Sequence, residues 1–138
     1  MKVVIASDHG GYQLKEELKA FIAELGHEVA DYGAHTQDPV DYPDFAFLVA
    51  EAVAAGAADR GVMIDGIGAA SAIVANKVPG IRAASCSDTF TAAMSRAHND
   101  ANVLTLGARV IGSGLAREIV KVWLAAEFEG GRHMRRVS

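Results

Sequence analysis

Cysteine is nearly absent from this chain. Its single occurrence, Cys86, rules out a disulfide within the chain and fits a reducing compartment. No apolar stretch approaches the ~18 to 20 residues that span a bilayer, and Met1-Lys2-Val3-Val4-Ile5 opens as a strand rather than a signal peptide. A cytoplasmic protein without a membrane partner is expected. There is no long basic block and the formal net charge is -4, which argues against nucleic acid as the main partner. Also missing are a P-loop, a nucleophile elbow, an HExxH or CxxC motif and any linear His/Cys/Asp spacing typical of zinc, so no metal is expected. What is there is an ordinary globular composition, 51% hydrophobic and 22% charged over 138 residues, which makes one domain by length.

The chain is organised around residues 59 to 77. The apolar run Gly61-Val62-Met63-Ile64 reads as a buried strand ending on Asp65, and a small-residue loop then leads into a helix. In an open α/β sheet, ligands bind beyond the carboxyl ends of the strands, and free N–H groups at a helix start favour anionic oxygens. Asp65 therefore sits where chemistry would be done. The alternative stays open that Gly66 and Gly68 make only a tight turn and that Asp65 only caps the helix. A dinucleotide fingerprint is a poor match, because Gly66-Ile67-Gly68 follows the third strand rather than opening a first βαβ unit.

Further strands are expected at Val3 to Ala6, Glu28 to Tyr32, Ile81 to Ser85 and Val103 to Leu106. Between them, helical spacing marks Tyr12 to Leu25, Asp44 to Ala55, Thr89 to Ala97 and Leu115 to Glu127, with Gly26 placed as a C′ glycine and Pro43 in a first turn. Five strands alternating with helices predict a single-domain, three-layer α/β fold with a mostly parallel sheet. Four strand ends carry chemically useful residues: Asp8-His9, Asp65-Gly66, Ser87-Asp88 and Arg109. His27 and His35 suit solvated roles, whereas His9, His98 and His133 each have a complementary neighbour. The tail supplies Arg132, Arg135 and Arg136 after Gly130-Gly131, forked donors suited to a phosphate. An acid–base reaction on a small phosphorylated substrate fits these residues, although a solvated, frayed tail fits its composition as well.

Several stretches carry a resemblance: Ser7-Asp8-His9-Gly10-Gly11, Val40-Asp41-Tyr42-Pro43-Asp44, Val74 to Arg82, Arg96 to Val103, Leu106 to Gly112 and Glu129 to Val137. Together they resemble type B ribose-5-phosphate isomerase and the galactose-6-phosphate isomerase subunits, nearly end to end. The resemblance implies a Rossmann-like fold, a homodimer or homotetramer with sites at the interface, and no cofactor. It further implies interconversion of ribose 5-phosphate and ribulose 5-phosphate through an enediolate. By the same resemblance His98 opens the sugar ring with help from Asp8, and His9, Arg132 and Arg136 hold the phosphate. Tyr42, Asn99 and Arg109 line the site, and backbone N–H groups from Gly66 through Gly68 and Ala69 to Ala70 stabilise the enediolate.

The departure falls at the base. Where the family loop usually reads Cys-Gly-Thr/Ser-Gly-x-Gly, this chain reads Asp65-Gly66-Ile67-Gly68-Ala69-Ala70. A branch lacking the cysteine carries a glutamate where Ser71 stands here. Two readings follow. The chain is a self-sufficient isomerase with Asp65 as base, or, like the A-type subunit of galactose-6-phosphate isomerase, it binds a sugar phosphate and needs a paralogous partner.

Overall fold

The computed structural model describes residues 1–138, and its architecture follows from the apolar strands. Strands β1 (Lys2–Ser7), β2 (Glu28–Asp31), β3 (Arg60–Asp65), β4 (Ala83–Ser85) and β5 (Val103–Gly107) form one sheet in the order β2-β1-β3-β5-β4. Every pairing is parallel, so the mostly parallel sheet expected from sequence is wholly parallel. The middle strands β1, β3 and β5 are buried almost throughout because helices cover both faces.

Handedness decides which helix goes where. The connections β1 to β2 and β4 to β5 step one way along the sheet and carry α1 (Tyr12–Glu24) and α4 (Thr89–Ala97) on one face. The connections β2 to β3 and β3 to β4 step the other way, and right-handed crossovers place α2 (Tyr42–Ala54) and α3 (Ala69–Ala75) on the opposite face. Helix α5 (Ser113–Ala125) joins the first layer through Ile119, Val120 and Trp123. Strand alternation divides the core accordingly, Val3, Ile5, Val62 and Ile64 facing α1 and α5, and Val4, Ala6 and Met63 facing α2. Each fully buried Ile or Leu contributes on the order of 1.5 to 3 kcal/mol.

Helix boundaries shift slightly from the expected ones. Helix α2 starts at Tyr42 with Pro43 in its first turn, and α5 starts two residues early because Gly112 serves as its N-cap. Strand β4 keeps only Ala83–Ser85, since Arg82 is turned aside by Asn102, whose side chain accepts from its N–H. Cys86 lies just past that strand, buried, and burial pushes its thiol above the ordinary value. The tail is a short helix, α6 (Arg132–Val137), rather than a frayed end.

One buried ion pair holds the loop that leads to α2. Lys15, fully buried, donates to both oxygens of Asp31 at 2.8 and 2.7 Å, and the Gly33 N–H donates to the same carboxylate. Burial alone would raise the Asp31 carboxyl, but Lys15, Gly33 and Lys19 outweigh it and hold it at about 2. Its contribution is therefore complete above the unfolded carboxyl value of about 3.8 and disappears as pH falls toward about 2. Asp31→Asn should cost roughly 3 kcal/mol at neutral pH by leaving the buried Lys15 charge only the partly exposed Glu16 carboxylate at 3.1 Å, and adding Lys15→Met should recover part of that loss. Urea unfolding of the parent and both variants measures this, and the parent's excess over Asp31→Asn should shrink between pH 4 and pH 2.

Candidate active site

The loop after β3 is built from Asp65 outward. Asp65 is only 3% exposed and ends the middle strand, where the chain turns into α3. Its Oδ1 accepts from the Gly68 N–H, and its Oδ2 accepts from the Ser71 N–H at 3.1 Å and the Ser71 hydroxyl at 2.7 Å. Ser71 is fully buried, so it enters the site through Asp65 rather than through an open surface. Asp65 thus does cap the helix, as one of the two readings of the sequence allowed.

A second set of contacts fastens the loop to β5. The Ala108 N–H donates to Asp65 O at 2.8 Å, the Arg109 N–H to Gly66 O at 3.0 Å and the Thr105 hydroxyl to Gly68 O at 2.7 Å. Gly68 has φ 85, which glycine adopts without strain. The amides of Gly66, Ile67, Ala69 and Ala70 donate to no group in the chain, and Ile67 is 61% exposed. Donors without acceptors in an exposed loop suit an oxyanion.

Asp8 and His9 flank the same crevice. The Asp8 N–H donates to Ile64 O at 3.2 Å, which joins the ends of β1 and β3, and the Asp8 carboxylate accepts from the Gly11 N–H. Neighbouring connections leave the sheet in opposite directions between these two strands, the place where such sheets bind ligands. His9 Nδ1 accepts from the Val40 N–H at 3.1 Å, which fixes the ring against the loop before Tyr42 at the start of α2. Arg109 runs past Gly66, where an added Cβ would lie 3.6 Å from its Cδ.

The remaining site residues occupy the other edge of the sheet. His98 and Asn99 follow α4 and lead into the start of β5, where the Gly61 N–H donates to Asn102 O. Arg136 and Asn99 line one cavity of about 410 Å³ with Asn76, Arg82 and Ser95. Helix α6 is tied there because the Glu129 N–H donates to Ala97 O, and His133 stacks on His98 with ring centroids 4.3 Å apart. Burial, reinforced by His98 and Arg132, pushes the His133 imidazole below its ordinary value, with Glu129 opposing. Asp65, Asp8, His9, Tyr42 and Arg109 thus stand at the carboxyl edge, while His98, Asn99, Arg132 and Arg136 stand roughly 16 Å away, the length of a five-residue strand.

Some supporting residues escaped the sequence reading. Asp100 sits at φ 51, unusual for a side chain, and bridges Arg96 at 2.8 Å and Arg82 at 3.4 Å, fixing the turn that presents His98 and Asn99. Its place in Arg96-Ala97-His98-Asn99-Asp100 was the available signal. Gly107 is the other, because a Cβ there would come within 2.7 Å of the Ile67 backbone. Gly107→Ala should push the Gly66–Ala70 loop off β5, lowering kcat by about tenfold or more while the far-ultraviolet circular dichroism remains that of the parent.

The chain is similar to known proteins over nearly its whole length. A family described as ribose/galactose isomerase matches residues 3–138. Ribose-5-phosphate isomerase B of Escherichia coli K12 is 48% identical over 136 residues, spanning 99% of this chain and 91% of that protein. D-erythrulose-4-phosphate isomerase of Pectobacterium atrosepticum is 44% identical over 133 residues, 95% of this chain and 87% of that protein. The structure of Clostridium thermocellum ribose-5-phosphate isomerase B superposes with a TM-score of 0.98 at 58% identity, covering 99% of this chain and 93% of that one.

Proposed function

We propose that this chain, which belongs to the ribose/galactose isomerase family, interconverts ribose 5-phosphate and ribulose 5-phosphate with Asp65 as the base. Its class of activity is that of a sugar-phosphate isomerase, an aldose–ketose interconversion. The observation that carries the finer reading is the loop itself, a carboxylate beside four amides without acceptors. In this reading His98 and Asp8 open the sugar ring. Asp65 takes the C2 proton of the aldose, the electron pair moves to form the enediolate, and the loop amides hold the oxygen that gains charge. Asp65 then returns the proton to C1 while the O2 hydroxyl proton passes to O1, which leaves the C2 carbonyl of the ketose. His9, Arg132 and Arg136 hold the phosphate, and Tyr42, Asn99 and Arg109 line the sugar.

A carboxylate has about four acceptor positions, and three donors already meet Asp65, which leaves one for the substrate proton. That engagement also favours a second reading, in which Asp65 is solely a cap and a paralogous subunit supplies the base. Asp65→Asn should abolish exchange of the substrate C2 proton with solvent while sugar-phosphate binding persists, and Asp65→Cys should retain exchange. Exchange by Asp65→Asn at the parent rate would leave the second reading as the better account.

The separation of the two residue groups supports a homodimer or homotetramer whose site takes the carboxyl edge of one copy and the amino edge of another. Mixing inactive Asp65→Asn and His98→Asn proteins after subunit exchange should then restore about a quarter of the parent activity, since half of random dimers carry one intact site. No recovery with verified exchange would place each site within one chain. Arg132→Ala and Arg136→Ala should each weaken substrate binding by on the order of 2 to 4 kcal/mol with the fold intact, as read from KM and thermal unfolding.

A further inference from the structure

We propose that His98, Glu129 and His133 form a site for one transition-metal ion of the Zn²⁺ class, and that the ion withdraws His98 from catalysis. The three residues converge through tertiary structure. His98 caps the end of α4, and Glu129 is fixed beside it because its N–H donates to Ala97 O at 2.9 Å. Gly130 and Gly131, at φ 68 and 55, then reverse the chain so that His133 returns against both. Larger residues would resist that reversal.

The spacing suits an ion better than direct contacts. Glu129 Oε1 lies 3.8 Å from His98 Nε2 and 3.7 Å from His133 Nε2, too far for hydrogen bonds. Two ligand atoms on a tetrahedral zinc with bonds of ~2.0 to 2.1 Å stand about 3.3 to 3.4 Å apart, so each of the two Glu129–histidine distances need contract by only a few tenths of an ångström. All three ligand atoms already lie within 4.8 Å of one another. His133 gives a second reason. Its Nε2 is buried and has no hydrogen-bond partner, a state that ordinarily has a cause. An ion at this point would give that nitrogen its partner.

Two imidazoles and a carboxylate are also a donor set that zinc accepts, with a fourth position left for water. The rings are stacked within 12°, so their lone pairs run side by side, and one ring must tilt to converge. His98 is the one able to do so, with 39% of its side chain exposed against 8% for His133. Arg132 and Arg136, on the same short helix, bring positive charge near and keep affinity below that of a structural zinc site. The ion is thus a reversible ligand. Its effect on turnover rests on the proposed ring-opening role of His98, whereas the metal site does not.

Metal-free protein titrated with ZnCl₂ in a non-chelating buffer tests the site by calorimetry, with Co²⁺ as a coloured probe of coordination. The expected result is about one ion per chain, tetrahedral Co²⁺ absorption, and affinity lowered at least ~10-fold by both Glu129→Gln and His133→Gln. Circular dichroism confirms that each variant is folded. Absence of binding at 100-fold excess Zn²⁺, or undiminished affinity in the two folded variants, overturns the site. In the isomerase assay, Zn²⁺ should inhibit the parent at the calorimetric affinity, reversibly with EDTA, while Glu129→Gln stays active and resists inhibition. Stoichiometric binding without inhibition overturns the withdrawal of His98 and leaves the metal site standing.

Discussion

The grip of one carboxylate on the start of α3 is the constraint on which the rest of the carboxyl edge depends. Asp65 draws in the Gly68 and Ser71 amides and the Ser71 hydroxyl, and that closure turns the loop so that other amides face outward. A buried carboxylate with hydrogen-bonded oxygens is tolerated where an unpaired one would not be. The same three contacts make Asp65 the residue that fixes the turn from β3 into α3. A cysteine in this position would give up the cap, and an aspartate keeps it with one acceptor position to spare.

Two backbone approaches let that loop lie flat on the sheet. Gly107 offers no Cβ to the Ile67 backbone, and Gly11 offers none to Ile64 O, where the added atom would stand at 2.5 Å. The crevice between β1 and β3 is therefore shaped by missing atoms as much as by present ones. Around it, Lys15 and Asp31 anchor the Gly33 turn, and Val40 meets His9 at the other end of the same loop. Fold stability and site geometry share these contacts, so neither can be altered alone.

The amino edge is organised separately, by arginine. Arg96 is buried and donates to Asp100, Ala101 O and Ala126 O, which joins the end of α4 to the segment leading into α6. A guanidinium can serve three acceptors in fixed directions, whereas a lysine at this place would serve them less rigidly. This junction brings Glu129 and His133 beside His98. A catalytic group by resemblance and a metal-type donor set thereby occupy one spot, although no linear spacing in the chain suggested a metal.

What the sequence determined by itself was periodic or local. Continuous apolar runs marked the middle strands because both of their faces are covered, and stripes at helical spacing marked α1 and α5 because each covers one face. Asp65 was legible as a strand end with two possible roles, and its cap role is local, between residues three and six apart. The edges of elements were less legible, since Arg82 leaves β4 through a contact with Asn102, twenty residues away. Only the tertiary structure separated the candidate residues into two edges, because helices return antiparallel to the strands and carry His98 and the tail to the far end of the sheet. It also decided that Arg132 to Val137 is a helix and that His98, Glu129 and His133 meet, contacts between segments about thirty residues apart that no pattern along the chain encodes.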